Sequence, residues 1–210
     1  MKRFPLSLIY LACFALVALF LAAKPAENEG YKVGDTATDF KLKNVDGKMV
    51  SLADNKKAKG FIVTFTCNTC PYSVAYEDRI IALQKKYEPQ GFPVVAINPN
   101  DVTVSPKDSY KDMQKRAKEK KFNFAYLQDE TQEITKAYGA TRTPHMYVLQ
   151  KQNDGSLKVM YIGAIDDNSR EPQNVQKKYL ETALDELIAG KEVSQPATKA
   201  IGCTIKWKQS

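Results

Sequence analysis

Histidine occurs once in this chain, at His145, and tryptophan once, at Trp207, while cysteine occurs four times in 210 residues. A zinc site built on a Cys-x-x-Cys pair needs a second Cys/His pair at similar spacing. Besides Cys67 and Cys70 the chain offers only Cys13, Cys203 and His145, which do not form one. So few cysteines also exclude a scaffold held by a dense disulfide framework. No internal repeat or low-complexity tract interrupts residues 24–210. An uncharged, mostly apolar run of about 20 residues occurs only at the N-terminus, where Lys2 and Arg3 precede Phe4 to Ala23. The run ends in the small residues Ala22 and Ala23, before the polar stretch Lys24-Pro25-Ala26-Glu27. This is the pattern of a secretory signal peptide over residues 1–23. Its length would also span a bilayer if uncleaved, so an N-terminal membrane anchor is the alternative. Cys13 lies inside the run and is expected to leave with it as a small apolar residue.

The remainder is long enough for one domain with a sizeable core. The expected organisation is a flexible lead-in over 24–33, a domain over 34–190 and a C-terminal tail over 191–210. The net charge of +7 is spread over Lys-rich helix faces such as Lys115 to Lys121. Basic proteins can bind nucleic acid, but for an exported chain solvated helix faces account for the excess, and no nucleic-acid partner is expected. Contact with a membrane is expected only through the N-terminal segment.

The most informative stretch is Phe61-Ile62-Val63-Thr64-Phe65-Thr66-Cys67-Asn68-Thr69-Cys70-Pro71. A hydrophobic strand runs into a Cys-x-x-Cys that opens a helix over Pro71 to Tyr87. A helix N-terminus presents unpaired N–H groups and partial positive charge, which favour a thiolate over a thiol. The thiolate is the reactive species, and a second sulfur two residues on resolves a mixed disulfide formed at the first. Strand, Cys-x-x-Cys and helix together indicate a redox dithiol. A static clip over so short a loop would constrain the unfolded chain little.

Elsewhere, Phe40 to Leu52 alternates around Asp46-Gly47 as a hairpin does. Within the Pro71–Tyr87 helix, Val74, Tyr76, Ile80, Leu83 and Tyr87 are spaced for one apolar face. Phe92 to Ile97 and Phe124 to Leu127 are further strands. Ser105-Pro106 opens a helix to about Lys121. Asp129 to Gln132 caps another that ends at Tyr138-Gly139. His145 to Gln150 and Leu157 to Ile162 flank the turn Asn153-Asp154-Gly155. Asn174 to Ala189 is the last helix. The order suits a central mixed sheet with helices on both faces. Thr143-Pro144 falls between a helix and a strand, where an X-Pro bond is a candidate for cis geometry.

The Cys-x-x-Cys after a central strand and the Thr-Pro before a later hairpin resemble the thioredoxin fold. By that resemblance Cys67 is the attacking nucleophile, more exposed than Cys70, and Cys70 resolves. Thr143 and Pro144 shape a groove in which a polypeptide strand pairs with the backbone of Thr143. The segment Phe40-Lys41-Leu42 with Asp46-Gly47-Lys48 and Ser51-Leu52 resembles the entry hairpin of redoxins, the alkyl hydroperoxide reductase/thiol-specific antioxidant family. Ala96-Ile97-Asn98, Asp129 to Gln132, Ile165 to Asn168 and Gly202 to Trp207 resemble a bacterial redoxin-type group. The implied activity is thiol–disulfide exchange by an exported enzyme, periplasmic or anchored facing the periplasm. It needs no cofactor or metal; its partners are protein thiol or disulfide substrates and an electron-donor redox protein.

Two departures shape the alternatives. The strand before the dithiol carries only Thr64 and Thr66 as polar residues, so the buried acid of thioredoxins is missing, and Thr66 replaces their Trp. An antioxidant, peroxiredoxin-like peroxidase with Cys67 as peroxidatic thiol is the first alternative. Thr64 matches that pattern and Arg142 is the candidate arginine, but Gly60 stands where the pattern has Pro. A copper chaperone using Cys67, Cys70 and His145 is the second. There the simpler reading is a histidine starting a strand. Cys203 is either a buried small residue or a third redox thiol, and Trp207 is expected to pack.

Overall fold

A computed structural model of the chain describes residues 30–209. The N-terminal segment and the first part of the lead-in lie outside these residues. Ten strands and four α-helices follow in order. They are β1 (Thr36–Ala37), β2 (Lys41–Asn44), β3 (Met49–Ser51), β4 (Gly60–Phe65), α1 (Pro71–Tyr87), β5 (Val94–Asn98) and α2 (Tyr110–Lys120). Then come β6 (Ala125–Gln128), α3 (Glu133–Tyr138), β7 (Arg142–Thr143), β8 (His145–Lys151), β9 (Leu157–Gly163), α4 (Tyr179–Ile188) and β10 (Cys203–Thr204).

The main sheet has eight strands in the order β1-β9-β8-β4-β5-β6-β2-β3. β4, β5 and β6 are parallel, whereas β8 runs antiparallel to β4. β4 therefore has a strand on each side, and all six of its residues are buried. Side chains alternate across a strand. Phe61, Val63 and Phe65 enter one core with Val95, Ile97, Leu127, Tyr138 and Tyr147. Ile62 points the other way, toward Tyr76, Ile80, Leu83 and Tyr87 of α1 and Leu180, Leu184 and Leu187 of α4. Val74, placed on that apolar face by its spacing, is 37% exposed, because the buried stripe of α1 begins at Ser73 and continues through Tyr76, Glu77 and Ile80, leaving Val74 at its margin.

Pro71 at the first position starts α1, since its missing N–H would have no partner there and its fixed φ suits a helix. The Asp46-Gly47 hairpin forms as expected, with Leu42 opposite Val50, and β2 pairs with β6. Three boundaries differ from the sequence reading. Ser105-Pro106 opens a 3₁₀ turn, and the N-cap of α2 is Ser109, whose hydroxyl accepts from Asp112 N. A 3₁₀ turn at Pro172–Asn174 precedes α4, which starts at Tyr179. Residues 30–33, expected in a flexible lead-in, are seated: Tyr31 N donates to Tyr138 O at 3.2 Å and its ring packs edge-on to Tyr138.

Residues of the C-terminal tail are seated as well. Thr198 N donates to Ile162 O at 3.0 Å, and its hydroxyl accepts from Ala164 N at 2.9 Å. Gly163 makes that approach feasible, because a Cβ there would lie 2.1 Å from Thr198 Oγ1. The chain then crosses to the end of β4, where β10 pairs antiparallel with β7 as a separate two-stranded sheet.

Candidate redox site

Three segments meet beyond the C-terminal end of β4. The turn Thr66 to Cys70 leaves the strand and caps α1, with Cys70 as N-cap. The loop from β7 to β8 brings Thr143 and Pro144, joined by a cis peptide bond as expected. The third segment, Gly202-Cys203-Thr204, comes from the tail. Thr143 sits at their junction and is fully buried. Its hydroxyl lies 3.4 Å from Cys67 Sγ, and its carbonyl oxygen lies 3.1 Å from Cys70 Sγ. Cys203 is its register partner across the β7–β10 ladder.

The sulfur pairing differs from the sequence expectation. Cys70 is joined to Cys203, with Cα atoms 5.9 Å apart, and Cys67 carries a thiol. Cys70 Sγ therefore has no proton to give, so its approach to Thr143 O is a packing contact. Cys203 N points at Cys70 Sγ from 3.4 Å. Cys67 was expected to be the exposed sulfur, yet it is 4% exposed and Cys70 3%. The physical reason is packing: Cys67 lies against buried Thr143 and borders a small cavity lined by Ile80, Phe122, Phe124 and Tyr126, while the tail is bonded over Cys70 through Cys203. Gly202 fits there because it lacks a side chain: a Cβ would lie 2.2 Å from Thr143 O. Ser73 Oγ, at 4.0 Å, is a further polar neighbour of Cys67 Sγ.

The turn is held by a carboxylate that sequence reasoning did not single out for the site. Asp108 is 1% exposed. It accepts from Asn68 N at 2.7 Å and Thr69 Oγ1 at 3.1 Å, fixing the two residues between the cysteines. It also accepts from Asn100 Nδ2 at 2.9 Å, and Asn100 Oδ1 accepts from Lys206 N of the tail at 2.9 Å. One carboxylate thus ties the dithiol turn to the tail. Tyr126 donates to Asn68 Oδ1 at 2.9 Å, and burial pushes its phenol pKa well up, which keeps it a donor. The available signal was Ser105-Pro106-Lys107-Asp108, which reads as a helix start; the carboxylate serves the turn instead.

The remaining candidates are placed as follows. Arg142 is exposed and its guanidinium makes no hydrogen bond or ion pair among the described residues. Thr64 is buried, and its hydroxyl has no hydrogen-bond partner there. His145 begins β8, with Nδ1 accepting from Thr141 N at 3.4 Å. Burial pushes its pKa down to about 4. Among the described residues no group of three or more His, Cys, Asp or Glu side chains is arranged to hold a metal ion. Trp207, expected to pack, is 38% exposed, because the chain's last anchored residues run over the surface. Glu77 shares a small cavity with Cys67, but both its oxygens accept from Arg116, at 2.7 and 2.8 Å.

Residues 33–160 match the model of the AhpC/TSA family. Among curated proteins, the thiol-disulfide oxidoreductase ResA of Geobacillus thermodenitrificans is 26% identical over 142 residues, 66% of this chain and 74% of that protein. A solved structure of an uncharacterized conserved protein from Geobacillus kaustophilus is 39% identical, with a TM-score of 0.78 over 86% of this chain and 94% of its own. A Chlorobium tepidum structure assigned as the thiol:disulfide interchange protein DsbE is 22% identical, with a TM-score of 0.58 over 76% and 99%. The last likeness is one of fold, and with the α/β architecture above it makes the fold thioredoxin-like, as expected from the sequence. The family match ends before Cys203.

Proposed function

The chain belongs to the AhpC/TSA family, and from that premise we propose that it is a thiol–disulfide oxidoreductase acting through Cys67 and Cys70. One observation carries the reading: Thr143, next to the cis-proline, touches both sulfurs of the Cys-x-x-Cys. Cys67 is the nucleophile. Its thiolate attacks a substrate disulfide, one substrate sulfur leaves as a thiolate, and Cys70 then attacks Cys67 Sγ to release the second. The Thr143 hydroxyl is placed to donate to the Cys67 thiolate. Protein thiols or disulfides are the substrate class, and a redox protein returns the electrons. Export through residues 1–23 is the proposed route to an oxidising compartment, argued from the sequence; among the described residues no helix is long and apolar enough to cross a membrane.

Thr64 and the buried thiol of Cys67 favour the peroxidase alternative, but exposed Arg142 and Gly60 do not, and slow oxidation by hydrogen peroxide is expected. The test is disulfide reduction in an insulin assay. Cys67→Ser should abolish turnover, and Cys70→Ser should accumulate mixed disulfides at Cys67. Full turnover by Cys67→Ser would sink the assignment.

A further inference from the structure

We propose that Cys203 is a third redox thiol, which takes Cys70 from Cys67 and leaves the oxidising equivalent at the Cys70–Cys203 pair; this rests on the oxidoreductase reading above. Cys70 is the sulfur that both partners share. It is two residues from Cys67 on one side and is bonded to Cys203 on the other, while Cys67 is a thiol. After a substrate has been reduced, Cys67 and Cys70 form a disulfide. The Cys203 thiolate attacks Cys70 Sγ along the β7–β10 ladder. The Cys70–Cys203 bond forms, the Cys67–Cys70 bond breaks, and Cys67 departs as a thiolate that takes up the proton Cys203 gave to solvent. No electrons are gained or lost in that step, and Cys67 regains its thiol.

The tail is held for this task on both sides of Cys203. Upstream, Thr198 is bonded to β9 and to Ala164, and its hydroxyl is 2.6 Å from Tyr161 Oη. Downstream, Ile205 is buried, and Gln132 accepts from Lys208 N at 2.8 Å and donates to Lys206 O at 2.9 Å. The glycine at 202, the register of Cys203 on Thr143 and the Cys203 amide aimed at Cys70 Sγ all set one sulfur–sulfur approach. Cys203 is half-buried, whereas Cys70 is buried, so the returning dithiol donor attacks Cys203 Sγ. Cys70 leaves as a thiolate, and the donor's second thiol frees Cys203, giving three thiols. Substrate and donor then meet different sulfurs.

The full-length protein, reduced with dithiothreitol and desalted, is oxidised with glutathione disulfide. It is then acid-quenched at intervals, alkylated and peptide-mapped. The wild type should pass through a Cys67–Cys70 peptide and end as Cys70–Cys203 with Cys67 alkylated. Cys203→Ser should stop at Cys67–Cys70, and Cys67→Ser should form Cys70–Cys203 at least tenfold more slowly than wild type. Cys203→Ala, with circular dichroism of each variant, separates lost chemistry from lost folding. A wild-type end point of Cys67–Cys70 with Cys203 alkylated would overturn the relay. So would equal Cys70–Cys203 formation with and without Cys67, the mark of a static disulfide. In the insulin assay, Cys203→Ser should turn over at least tenfold more slowly. Wild-type turnover by Cys203→Ser, with none by Cys67→Ser, rejects the relay alone. Turnover by Cys67→Ser rejects the oxidoreductase reading itself.

Discussion

Single side chains at this site divide into those with a local signature and those without. Cys67, Cys70, Thr143 and Pro144 were legible because each sits in a short motif whose chemistry depends on neighbours in sequence. Asp108 was not, because its importance comes from Asn68, 40 positions away, and from Asn100. Buried N–H groups deprived of their acceptor cost about 1–3 kcal/mol each. Asp108→Ala should therefore lower stability by about 3 kcal/mol or more and loosen the turn that sets Cys67 beside Thr143. Urea denaturation reads the first effect, and the alkylation rate of reduced protein the second. His145 supplies a pH effect of definite sign. Its pKa is about 4 folded, against 6.5 as the ordinary value. Above that ordinary value it is neutral in both states; between the two, the unfolded chain binds the proton more tightly, so stability falls as pH drops. The span corresponds to about 3 kcal/mol at 1.36 kcal/mol per unit. His145→Asn should have a shallower loss of stability between pH 7 and pH 4 in paired denaturation curves. Parallel slopes would refute this account of His145.

The longer elements were readable from periodicity, and the short ones were not. α1 carries enough turns for its buried positions to repeat, and β4 is apolar throughout. β7 and β10 have two residues each. So short a strand has no period to detect, and its pairing partner lies far away in sequence. This is why the path of the tail could not be read and Cys203 stayed undecided between a packing and a redox role. Gly202 tests the seat directly. Gly202→Ala puts a Cβ against backbone at Thr143 O and 3.0 Å from Pro144 N, where no side chain can swing aside. Overpacking of this kind costs about 1–3 kcal/mol. The expected result is a frayed β10, with amide exchange of residues 203–206 accelerated at least tenfold and a lower yield of the Cys70–Cys203 peptide. Exchange as slow as in the wild type would show that the approach at Gly202 does not govern the seating of β10.

The architecture as a domain followed from the sequence because a mixed sheet between helices is the packing that its apolar segments permit. What did not follow was how the end of the chain is joined back to its middle. Cys70 and Cys203 are 133 positions apart, so their bond restricts the unfolded chain far more than a Cys67–Cys70 bond does. Loop-closure entropy puts the long loop at about 5 kcal/mol and a four-residue loop at about 2 kcal/mol. Ion pairs such as Arg79 with Asp166 tie α1 to the loop after β9 and involve none of the three sulfurs. Stability should therefore report which disulfide is present. Oxidised wild type should be more stable than reduced wild type by up to about 5 kcal/mol. Oxidised Cys203→Ser, confined to the Cys67–Cys70 bond, should gain less than half as much. Denaturant midpoints with and without dithiothreitol measure both differences. Equal gains in the two proteins would mean that the long loop is not closed in solution, and that the tail is held by Asn100, Gln132 and Thr198 without a covalent tie.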